Sequence, residues 1–142
     1  MQSQNLKNHA RFVPGYHYVL ALVAILTLVG AFVNLFGSTD EGMYSASLIV
    51  ALSFAVLLAG YYARVFALAV QDRLILLEER LRHQELTGKP LDSRLTMRQV
   101  IGLRFASDEE FPALAASAAE KGTSEKEIKA AIKNWRGDYH RV

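Results

Sequence analysis

The chain has 142 residues, 51% of them hydrophobic and 21% charged, with a formal net charge of +2 and a pI near 9.0. That balance is too mild to point to nucleic acid, and no nucleic-acid partner is expected. The absence of cysteine excludes disulfides, thiolate catalysis, iron–sulfur ligation through cysteine and covalent c-type haem attachment.

The hydrophobic residues concentrate in the first half, which predicts a membrane module followed by a small soluble one. Residues 12–39 contain no Asp, Glu, Lys or Arg and a single histidine, His17, and residues 42–63 carry no charge at all. Spans of about 16–36 and 43–63 follow, each about 20 residues, the length that crosses roughly 30 Å of hydrocarbon at about 1.5 Å per residue. The first run is longer than the apolar region of a cleaved signal peptide (about 7–15 residues), and no small-x-small site follows it.

The link "GSTDEG", residues 37–42, is short and acidic, so the spans form an antiparallel hairpin. Lys7 and Arg11 precede the first span, Arg64, Arg73, Arg80 and Arg82 follow the second, and Asp40 and Glu41 lie at the other end. The positive-inside rule then places both termini in the cytoplasm of a bacterial inner membrane. Tyr16, Tyr18, Tyr61 and Tyr62 mark one interface, Phe36 and Tyr44 the other.

In the second span Ser47, Ala51, Ala55, Ala59, Ala63 and Ala67 recur at every fourth residue. Small residues at this spacing let helices approach closely in lipid. Because such a ridge drifts by about 40° per step around a 3.6-residue helix, it cannot all face one neighbour. One portion is expected to pack on the first span through Ala24, Thr27 and Ala31. The rest faces a helix outside the hairpin, in a hetero-complex or a homo-oligomer.

The second span continues without glycine or proline into a stalk, whose Phe66, Ala67, Val70, Leu74, Leu77 and Leu81 form an apolar stripe in need of a cover. Two heptads fall short of the three or four that identify a coiled coil. Asp72, Glu79, Arg82 and His83 fall on other faces, with Glu78 and Arg82 an i,i+4 pair. Gly88 and Pro90 end the helix.

Three capping boxes then follow in "TMRQ", "SDEE" and "SEKE": Thr96 with Gln99, Ser107 with Glu110, and Ser124 with Glu127. The middle one competes with a helix start at Pro112, and Gly122 closes that helix. The last helix carries Ile128, Ile132, Trp135 and Tyr139 as a stripe. Together with Val100, Ile101, Phe105, Phe111 and Leu114, this stripe is expected to fold back onto the stalk. The predicted fold is therefore an all-α membrane protein: a transmembrane hairpin (1–64), then a cytoplasmic stalk and helical cap (65–142).

"QNLKNHARFVPGYH", "RVFALAVQDRLILLEERLR", "LRFASDEEFPAL" and "AIKNWRGDYHRV" together resemble an uncharacterised family of small bacterial two-span membrane proteins, a domain of unknown function. The resemblance covers nearly the whole chain and implies the same hairpin-plus-cap layout. It implies no activity and no site residues.

Candidate chemistry is sparse. His9 and His17 lie near the cytoplasmic interface, where imidazole can ligate haem or a pigment magnesium, or bond a quinone. Neither has a histidine partner in the second span, and an interfacial hydrogen-bonding role is the simpler reading. His9, His17, His83 and His140 lack the spacings that put two metal ligands on one helix face, so no metal site is expected. Nucleophile-elbow and phosphate-loop motifs are absent, as are acids or bases within the spans, and no catalytic residues are assigned. Lys126, Lys129, Lys133, Arg136 and His140 form a basic stripe on the last helix, suited to anionic lipid or an acidic partner. The expectation is a non-enzymatic accessory subunit of a membrane assembly, with membrane lipids and other transmembrane helices as partners and no cofactor. The alternatives are a cofactor-binding subunit using His17 and a membrane-tethered regulator with a basic cap.

Overall fold

The structure, a computed structural model, describes residues 4–6, 8 and 12–139. Among these residues it contains five α-helices and no strand. His9, Lys7, Arg11 and His140 lie outside the described residues. The chain divides into two compact units, Phe12–Ala67 and Leu68–Val142, with the N-terminal Met1–Arg11 belonging to the second. In the second unit the Gln4 side chain pairs with Asp138: Gln4 Nε2 donates to Asp138 O at 3.0 Å, and the Asp138 N–H donates to Gln4 Oε1 at 2.9 Å.

In the first unit, a π-helical turn (Gly15–Leu20) follows Pro14 and runs directly into α1 (Ala21–Phe36). The helix ends at Gly37, whose N–H donates to Val33 O at 3.1 Å. After a brief link α2 (Asp40–Thr87) begins, with Asp40 and Glu41 in its first turn, where carboxylates complement the helix dipole. It runs for 48 residues, since nothing between the second apolar run and Gly88 breaks it. Gly88 takes φ +69, the left-handed conformation that favours glycine. Both helices carry windows long and apolar enough to cross a membrane, and only 11% of each window is buried within the chain.

The hairpin pair is antiparallel. The Tyr16 hydroxyl donates to Gly60 O at one end, and Phe32 meets Phe54 edge-on at 6.2 Å towards the other. Its buried positions are Ala24 and Ala31 on α1, and Ala46 and Ser53 on α2. Each set is spaced by seven, the repeat of helices crossing at a shallow angle. On α1 these are two of the three residues expected to face the ridge, and on α2 they fall beside the fourth-residue ridge. Ser47, Ala51, Ala55, Ala59 and Ala63 are all exposed, and so is Thr27, whose hydroxyl bonds back to Val23 O. A single neighbour selects one residue in seven, and the ridge has drifted off that line.

In the second unit, α3 (Met97–Leu103), α4 (Phe111–Lys121) and α5 (Glu125–Ala131) enclose a core of Leu95, Val100, Leu103, Phe105, Phe111, Ala115, Ala118, Ile128 and Ile132. Two of the three predicted boxes form, Thr96 with Gln99 and Ser124 with Glu127. The middle one does not: α4 starts at Phe111, with Pro112 in its first turn and Glu110 as the residue before it. Gly122 closes α4 at φ +64.

Two expectations fail here. The cap does not cover the leucine stripe of α2. Val70, Leu74, Leu77 and Leu81 stay 53–68% exposed, while Ile75, Glu79 and Arg82 are buried and Leu76 packs on the core. The last helix also stops early, so Trp135 and Tyr139 are not on it. Ile132 turns extended (φ −68, ψ 124) because competing partners wait for the next residues. The Glu110 carboxylate accepts from the Lys133 and Asn134 N–H groups at 3.0 and 3.1 Å, and Arg136 N–H donates to Phe105 O at 2.8 Å. Residues 132–136 thus return beside Ala106, with Trp135 bridging to it.

Candidate functional site

The densest chemistry in the second unit gathers on Arg82. Its helix presents it, with Glu79 one turn earlier, to the Ala106–Asp108 turn between α3 and α4. Nη1 donates to Glu79 Oε2 at 2.8 Å, Nε and Nη2 both lie 2.7 Å from Asp108 Oδ1, and Nη2 also donates to Ala106 O at 2.7 Å. The guanidinium lies 4.5 Å above the Phe111 ring centre, a cation–π contact. Arg82 and Glu79 are 8% and 6% exposed, and this is the setting in which a fully satisfied pair is tolerated and a half-satisfied one is costly. The expected Glu78–Arg82 pair is thereby corrected: Glu79, at i−3, points into the core and takes the arginine, and Glu78 stays exposed.

A second buried arginine follows the same pattern. Arg104 Nε lies 3.0 Å from Asp138 Oδ2, and its guanidinium stacks 4.4 Å over Phe105. Between the two arginines runs a groove of about 500 Å³. Leu74, Glu78, Leu81 and Glu85 form its α2 wall, and Arg104 with Arg136, Gly137 and Asp138 forms the opposite one. The arrangement can clamp α2 to the cap and expose a rim of both charges. No group of three or more His, Asp or Glu able to share a metal occurs among the described residues.

The structure scatters the residues singled out from sequence. His17 is half-exposed, with Nδ1 3.0 Å from both the N–H and the O of Val13 and its ring packed against Phe12 and Tyr16. The apolar cleft of the hairpin, about 130 Å³, is walled by Tyr16, Leu20, Ala24, Val56 and Gly60, without His17. His9 is outside the described residues. The basic stripe is broken by the early end of α5. Lys126 is exposed, while Lys129 pairs with Glu125 at 2.6 Å and lies 5.5 Å over Phe105. Lys133 and Arg136 sit on the extended return. Sequence reasoning missed Arg104, Asp108 and Asp138, whose partners lie far along the chain. The one available signal was "SDEE", read as a cap when its Asp108 is an arginine acceptor.

A family model matches residues 1–142, and the chain therefore belongs to a family of unknown function (DUF6526). No curated protein and no solved structure matches it.

Proposed function

We propose that the chain is a structural subunit of a membrane assembly, in which the hairpin spans a bacterial inner membrane with both termini in the cytoplasm and α2 continues as a stalk bearing the helical cap. The observation that carries this reading is the division of labour on α2. The hairpin closes through Ala46 and Ser53, which leaves Ser47, Ala51, Ala55, Ala59 and Ala63 exposed. Small residues at helix-packing spacing on an uncovered face suit a further transmembrane helix, because close backbone approach drives association in lipid.

The exposed apolar surface of both helices supports membrane insertion. Leu22, Leu26, Val29 and Val33 of α1 and Leu48, Leu52 and Leu58 of α2 are each more than half exposed, a surface far larger than soluble proteins leave bare. The cap acts as a docking platform, and no reaction is assigned to it. Replacing Ala55 and Ala59 with leucine tests the reading. Both side chains lie off the hairpin's own contact line, so the hairpin should survive while the assembly dissociates. An unchanged native mass would sink the proposal.

A further inference from the structure

The exposed stripe of α2 has the pattern of a dimer seam. Val70, Leu74, Leu77 and Leu81 are spaced 4, 3 and 4 residues apart, which is the d-a-d-a alternation of a heptad, and they are 68%, 53%, 55% and 53% exposed. They lie beyond the uncharged run 42–63, among Asp72, Arg73, Glu78 and Arg80, so lipid does not account for them. The cap does not cover them either. It packs on the face of α2 that carries Ile75, Glu79 and Arg82, while Leu74 and Leu81 line an open groove whose other wall is Arg136–Asp138.

The flanking charges identify what fits. In this register Arg73 and Arg80 occupy g, Glu78 and Glu85 occupy e, and all four are exposed. In a parallel, in-register pair each g residue faces the e residue five positions on in the other helix. Arg73 then meets Glu78 of the second copy, and Arg80 meets its Glu85, on both sides of the seam. An antiparallel pair sets arginine against arginine and glutamate against glutamate.

We infer that α2 pairs in parallel and in register with α2 of a second copy through Val70, Leu74, Leu77 and Leu81. The inference rests on the membrane reading above in one respect: copies inserted the same way present these helices side by side and parallel. Two heptads are too short to hold alone in solution. Here the helix is already built and confinement to a membrane raises the effective concentration, so the seam has only to select the register.

Since the chain has no cysteine, single-cysteine variants of the full-length protein in its own membranes report only themselves. V70C and L77C should each form disulfide-linked dimers on mild oxidation. L86C, exposed on the opposite side of α2, should link far less. In the L77C background, adding E78R and E85R should lower the linked fraction roughly ten-fold, as several pairs turn from attraction to repulsion together. Co-expressing that chain with one carrying L77C, R73E and R80E should restore it. A chain held in the membrane fraction that links at neither position, at only one of the two, or equally at Leu86 overturns the seam and leaves the membrane reading standing. A chain released from the membrane fraction by alkaline carbonate overturns both.

Discussion

Arg82 and Asp108 are joined by two contacts of 2.7 Å, from Nε and Nη2 to the same carboxylate oxygen, although 26 residues separate them. The contact closes a chain that begins at buried Glu79 and ends at Ala106 O, fixing the cap to α2 by one satisfied guanidinium. Truncating the arginine leaves the buried Glu79 carboxyl without its partner. R82M should therefore destabilise the cap by about 3–5 kcal/mol, whereas replacing Arg82 and Glu79 together with apolar residues should cost less than R82M alone. Urea unfolding of the full chain in detergent measures this directly, because the only tryptophan, Trp135, stacks 5.1 Å from Phe105 inside the cap.

Gly102 is the point where α3 meets α5. A Cβ there would lie 3.2 Å from Glu125 O and 3.4 Å from Ile128 Cγ2. Helix propensity alone favours valine over glycine, but the backbone of α5 has no free rotamer with which to yield. G102V should cost about 1–3 kcal/mol by overpacking, seen as an earlier Trp135 unfolding transition.

Gln99 serves two ends at once. Its Oε1 accepts from Thr96 N–H at 2.8 Å in the capping box, and its Nε2 donates to Thr123 O at 2.8 Å, past the end of α4. Q99A removes both and leaves buried polar groups unpaired, while T96A removes the cap alone. The expected order is about 1–3 kcal/mol for Q99A against about 1 for T96A. Equal losses would show that the reach to Thr123 contributes nothing.

Acid should loosen the cap. The Arg94 side chain and N–H beside Asp92 hold its carboxyl at about 2, below its ordinary 3.8, and the Ser124 N–H and hydroxyl lower Glu127. Folded values below unfolded ones mean that these carboxylates stabilise the cap in their ionised form. The Asp92 contribution is complete above about pH 4 and is lost as pH falls towards 2, and that of Glu127 is complete only above its ordinary 4.5. The urea midpoint should fall across that window, and less steeply in D92N.

What could be read from sequence, and what could not, divides by range. Gly88, Gly122 and the boxes at Thr96 and Ser124 were legible because each is settled within four residues. The start of α4 was less clear, since Ser107 and Pro112 offered rival signals five residues apart. The buried face of α2 was misread for a different reason. Periodicity favours Leu74, Leu77 and Leu81, but burial went to Glu79 and Arg82, whose acceptors lie on another element. The early end of α5 has the same cause: Glu110 captures the Lys133 and Asn134 amides from across the cap. In the hairpin both helices carry small residues at several spacings, and only the three-dimensional crossing selects Ala46 and Ser53 over the alanine ridge.

The deciding measurement is the native mass of the protein released gently from its own membranes at natural abundance. Assembly through the ridge and the seam predicts particles that hold at least two copies of the 15.8 kDa chain, with or without foreign subunits, and a shift to lighter particles when Ala55 and Ala59 become leucine. A lone chain in the unaltered protein would contradict it, because the ridge and the seam would then have nothing to hold.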